Sequence, residues 1–117
     1  MNISEFKERA SAYGRALRML PWLIGDLMLS FERDNGEKAH QYFDVFGASP
    51  RVLQDFMWVA ETFPEDKRLD YRLPFGYYRD VASLGPERAV ALLTEALNEG
   101  YTSKELREVK KESRWHR

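Results

Sequence analysis

AHQYFDVFGASPRVLQDFMWV, residues 39–59, places apolar side chains at helical spacing on both sides of a single glycine. The spacing predicts one helix from about Glu37 to Phe46, with Ala39, Tyr42, Phe43 and Phe46 turned inward. Gly47 stops it, because glycine accepts the left-handed backbone that other residues resist. Ser49-Pro50 then starts a second helix, serine as cap and proline in the first turn, running to about Thr62. Phe43 and Phe46 before the glycine, with Ala48, Leu53 and Phe56 after it, are spaced to lock two steeply crossed helices. A helix-turn-helix requires that arrangement. It leaves Ser49, Arg51, Gln54 and Asp55 on the outward face at the start of the second helix. Arginine can bridge guanine and glutamine can bridge adenine in the major groove, each contact worth about 1–3 kcal/mol of discrimination. An ordinary junction in a helical bundle would read the same way. Asp55 argues for that blander reading, since a carboxylate is repelled by phosphate unless it accepts from a cytosine amino group or pairs with Arg51.

Working outward, the rest of the chain is also helical in spacing, with no strand-like alternation, so an all-α domain of about six to seven helices is expected. Ser4 is a plausible cap for a helix over Glu5–Met19, with Phe6, Ala10, Tyr13 and Leu17 on one face. Pro21 restarts the chain as Trp22–Glu32, and Asp34-Asn35-Gly36 forms a turn. After the central pair, residues 64–68 form a short turn of helix or an exposed link. Further helices follow over Phe75–Leu84 and Glu87–Asn98. A last one begins at Thr102, where Thr102 and Glu105 make a capping-box pattern, and its tail frays from Ser113. Trp22 and Trp58 sit on apolar stripes and read as core. One domain over 1–117 results, with N-terminal helices at 1–33, the central pair at 37–62 and C-terminal helices at 74–113.

Composition excludes several classes. The chain has no cysteine and two histidines, so thiolate sites, disulfides and an ordinary zinc site are ruled out. His40, Asp44 and Glu37 read as a polar helix face, and the acids before Gly36 lack the closing glutamate of a calcium loop. No cofactor and no enzymatic activity are expected. The polar start and the proline-interrupted apolar stretch at 19–31 fit neither a signal peptide nor a membrane span, so a cytoplasmic location is the default. The formal net charge is −1, so any affinity for nucleic acid must come from where charges are placed.

From about Glu37 to Glu108 the order of segments resembles the central helix-turn-helix domain of ParB-type partition proteins and related single-domain phage and plasmid regulators. The likeness is carried by the central pair, by Phe75-Gly76-Tyr77-Tyr78-Arg79-Asp80-Val81-Ala82, and by Gly100-Tyr101-Thr102-Ser103-Lys104-Glu105-Leu106-Arg107. It implies a sequence-specific DNA-binding regulator in which Ser49, Arg51, Gln54 and Asp55 face the major groove and Arg79 lies near the phosphates. The nucleotide-binding and dimerisation domains of true partition proteins have no counterpart here, so CTP activity is not carried over. A homodimer would have to pair through other surfaces. Phe6, Tyr13 and Leu17, or Trp22, Leu23 and Leu27, are candidates for pairing or for core.

The last helix adds Lys104, Arg107, Lys110, Lys111 and Arg114, which with Lys67 and Arg68 could hold the DNA backbone. It could also be a solvated helix whose Glu105, Glu108 and Glu112 pair with those bases, or a second reading helix following Gly100. Trp115, in the basic tail, could stack on a partner, and one of Tyr77 and Tyr78 must face outward. The alternative of another class is a small protein-interaction module, for example a phage protein bound to a host enzyme such as RNA polymerase. Near-zero charge and Asp55 favour it.

Overall fold

Asn2, not Ser4, begins the first helix: its side-chain oxygen accepts the Glu5 N–H at 2.8 Å. In the computed structural model, which describes residues 1–115 and side-chain surroundings through residue 112, α1 spans Ile3–Asn35. It ends at Gly36 in the left-handed conformation (φ 66°). The expected break at Pro21 does not occur, and two helices are one. Proline removes one intrahelical donor and strands the carbonyl of Leu17. Leu17 is exposed, so water can take that place, while Trp22, Gly25 and Met28 anchor the following turns.

The segment after Gly36 is a 3₁₀ helix over Ala39–Phe46, rather than an α-helix from Glu37. Its eight residues are stretched between two left-handed glycines, Gly36 and Gly47, and 3₁₀ winding covers about 2.0 Å per residue against 1.5 Å. Glu32 caps it by accepting the Ala39 N–H at 2.8 Å. Ala39 and Phe43 point inward as expected; Tyr42 is half out, edge-on to Phe31, and donates to Glu37. That carboxylate raises the Tyr42 phenol above its ordinary value. The chain continues as α2 (Pro50–Thr62), α3 (Phe75–Val81), α4 (Pro86–Glu99) and α5 (Ser103–Trp115). Short 3₁₀ segments lie at Glu65–Lys67, Leu69–Tyr71 and Ala82–Leu84. No strand is present among the described residues, and no described helix is long and apolar enough to cross a membrane.

The core is centred on Trp22, around which Phe75 and Tyr78 close edge-on at 4.9 Å and Phe63 at 6.4 Å. Val59, Val81, Leu93 and Leu106 complete it, so α1, α2, α3, α4 and α5 share one apolar interior. A smaller cluster of Met28, Ala39, Phe43 and Leu53 joins α1, the 3₁₀ helix and α2. Gly25 lets α1 and α2 approach: a Cβ there would lie 2.4 Å from the Phe56 carbonyl oxygen.

Arg68 was expected on DNA phosphates, and the fold places it in the interior. Its guanidinium grips Asp26 through two bonds of 2.7 and 2.8 Å and lies 4.3 Å over the Trp22 ring. Burial works against that charge, but bonds to Asp26 and Tyr71 outweigh it and hold Arg68 protonated beyond its ordinary range. Its Nε also donates to the Phe63 carbonyl at 2.8 Å. Leu69, Asp70 and Tyr71 follow with positive φ (51–57°), a strained turn in non-glycine residues. The Arg18 Nε helps hold it, donating to the Tyr71 carbonyl at 3.3 Å.

Candidate nucleic-acid interface

The start of α2 follows from its local sequence. Gly47 is left-handed (φ 66°), Ser49 is extended, and Pro50 opens the first turn. The Ser49 hydroxyl makes no capping bond, so it remains available to a ligand. Leu53, Val59 and Ala60 turn into the core, and Arg51 and Gln54 are left exposed on the outer face. Ala48, expected between the helices, is exposed instead, so the pair is locked by Phe43, Leu53 and the half-buried Phe46 and Phe56.

Asp55 pairs with neither Arg51 nor a free edge: it accepts from Arg79 of α3 at 2.8 Å. The next residue of α3, Asp80, takes Arg107 of α5 at 3.4 Å. Two ion pairs therefore link the outer surfaces of α2, α3 and α5. Arg79 is half exposed, so its guanidinium both cancels the Asp55 charge and faces solvent. Lys104, Arg107 and Lys111 are exposed and Lys110 is half-buried. The capping box at the start of α5 is formed, with reciprocal Thr102–Glu105 bonds of 3.1 Å. Those Thr102 bonds hold the Glu105 carboxyl below its ordinary value, which commits it to the helix start rather than to a neighbouring base.

Not every proposed contact joins this surface. Lys67 is exposed, but it stands beside Glu61 and Glu87 in an open depression at the far end of α2. Tyr77 is half-buried and donates to the Tyr101 carbonyl at 2.8 Å, while Tyr78 is wholly buried. The readings placed on the side chains of Arg114 and Trp115 lie outside the described residues. Gly100 is left-handed (φ 70°) between α4 and α5, with Ala96 and Leu106 buried on either side.

Trp58 corrects the sequence reading in the other direction. Expected in the core, it is 44% exposed on the outer face of α2. Its place seven residues after Arg51, two helical turns on, was the available signal. With Gln54 it borders a shallow groove that also meets Glu32, His40 and Glu61. Among the described residues, no group of three or more metal-binding side chains is assembled. The chain matches no protein-family model, no curated protein and no solved structure.

Proposed function

We propose that this chain is a sequence-specific DNA-binding regulator acting as a homodimer, with the first turns of α2 entering the major groove. The observation that carries the reading is the Asp55–Arg79 pair at 2.8 Å. Asp55 was the main objection to DNA in the sequence, and Arg79 neutralises it while keeping its own outer edge in solvent. Arg51 and Gln54 then read base edges. The free Ser49 hydroxyl and the positive N-terminal end of α2 suit a phosphate. Arg79, Lys104, Arg107, Lys110 and Lys111 hold the backbone and supply the affinity that salt weakens. A partition-like or transcriptional role in a phage or plasmid setting accords with the resemblance of residues 37–108.

Selection of bound duplexes from a random pool tests it. Enrichment of an inverted repeat is the expected outcome, and Arg51→Ala should then cost about 1–3 kcal/mol and relax preference at one base position. Lys111→Ala should weaken binding to all sequences alike. An unenriched pool removes the reading. It would favour the alternative, a protein-interaction module, for which the mixed groove of Gln54, Trp58, Glu32 and His40 is the supporting observation.

A further inference from the structure

The first half of α1 stands clear of the body with its apolar side chains uncovered. From Ile3 to Leu27 they recur at alternating intervals of three and four residues, the seam of a coiled coil and not the broader stripe of a core-facing helix. The large side chains along it are 52–74% exposed where they would be buried in a core, half-buried Ile24 excepted. These turns continue a helix anchored by Trp22, Gly25 and Met28, yet their own apolar face gains nothing from packing against the chain.

We propose that this seam pairs with the seam of a second copy, antiparallel, about a two-fold axis near Arg15. The sequence complements itself in that register. Ile3 stands opposite Leu27, Phe6 opposite Ile24, Ala10 opposite Leu20 and Tyr13 opposite Leu17, so every layer joins the two alternating seam positions of an antiparallel coil. The flanking residues that meet their own copies at the axis are Gly14 and Ala16, the small side chains that close approach of two backbones needs. Lys7 and Arg9 flank the seam farther out and fall beside Pro21 and Leu23 of the second copy, so no like charges meet. The register ends where it must. Past Leu27 the edge of the seam is covered by the chain's own 3₁₀ helix over Met28, and the groove of Leu27, Tyr42 and Val45 is left to receive the second copy's first turn.

The area is sufficient. A fully buried aromatic side chain covers about 150–250 Å². The seven large seam side chains, two of them aromatic and all partly covered already, have about 100 Å² each left to bury, on the order of 1,500 Å² over both copies, the size of a standard specific interface. An axis at Arg15 also sets the two bodies at opposite ends of a rod. This inference rests on the homodimer of the preceding reading and not on DNA.

Sedimentation equilibrium of the full chain without DNA tests it, so its failure is separate from a failure to bind DNA. The expected mass is twice 13.8 kDa. Leu17→Glu should return the mass to one copy with the circular dichroism of the folded helices retained, because Leu17 touches little of its own chain. The absence of cysteine makes orientation readable. Ala16→Cys should oxidise to a covalent dimer, and Ile3→Cys should cross-link only when mixed with Leu27→Cys. A single-copy mass at roughly 100 µM, well above a micromolar dissociation constant, overturns the proposal. So does a dimer that survives Leu17→Glu, or an Ile3→Cys dimer formed alone.

Discussion

Leu17 and Trp22 stand five residues apart on one helix, and the first is 74% exposed while the second is 1% exposed. Both halves of α1 carry apolar residues at helical spacing, in a narrow stripe over residues 3–17 and a broader one over residues 19–31, but neither width names the surface that covers it. The difference lies in what the rest of the chain brings to each half. Trp22 is met by four aromatic rings and the Arg68 guanidinium, whereas the turns from Ile3 to Leu17 meet almost nothing of their own chain. Periodicity reports that a face needs covering. It does not report whether the cover is the same molecule or another.

The largest effect that would break the comparison is at Trp22. Trp22→Ala should destabilise the fold by about 3–5 kcal/mol, the usual cost of deleting a buried aromatic, in denaturant titration. A loss below about 1 kcal/mol would mean that the two halves of α1 do not differ in the way described.

Tyr78, which packs on Trp22, gives the buried half a signature in pH. Burial first, and Tyr71 second, push its phenol from 10.0 up to about 12, against the pull of Arg68 and Arg72. The folded state thus holds the phenolic proton more tightly than the unfolded chain does. The corresponding stability is present below pH 10 and is lost as pH rises through about 12. Two pKa units correspond to roughly 3 kcal/mol. Tyr78→Phe should therefore flatten the alkaline limb of the stability profile, and an unchanged limb would show that Tyr78 does not drive it. The hydroxyl also donates to the Arg68 carbonyl, so the variant should lose some stability at neutral pH as well.

Gly25 tests how tightly the buried half is closed. A methyl group there meets the Phe56 carbonyl oxygen at 2.4 Å and Ala60 Cβ at 2.8 Å, neither of which is a flexible end. Overpacking costs about 1–3 kcal/mol, and removing a glycine from a helix interior returns up to about 1 kcal/mol. Gly25→Ala should be destabilising by about 1–2 kcal/mol on balance, read by thermal unfolding. Gly14, on the bare half, has only the Arg18 side chain at 3.7 Å, so Gly14→Ala meets no such clash within one copy.

Much of the fold was legible because its punctuation is local. Gly36, Gly47 and Gly100 each end a helix in the left-handed conformation, and Thr102 with Glu105 begins one. What was not legible depends on contacts distant in sequence. Pro21 fails to break α1 because the turns beyond it are anchored at Trp22 by Phe75 and Tyr78, 53 and 56 positions further on. Arg68 looked like a surface cation because only the fold brings Asp26, 42 residues earlier, against it. Asp55 looked unpaired for the same reason, its partner being 24 positions on at Arg79 rather than one turn away at Arg51. Trp58 misled by type, since tryptophan is buried on average, although its offset from Arg51 marked the outer face.

The smallest effect is the most discriminating for the bare half. Within one copy Leu17→Ala removes almost no contact, so it should change stability by less than about 0.5 kcal/mol in dilute protein. If the seam is covered by a second copy, unfolding of the wild type is linked to association, and its midpoint rises with protein concentration. Leu17→Ala should reduce that slope while leaving the dilute midpoint in place. Trp22→Ala should do the reverse, lowering the midpoint at every concentration by a similar amount. A Leu17→Ala loss that is large and independent of concentration would mean that the first half of α1 is folded onto its own body in solution. The contrast between the two halves would then be gone.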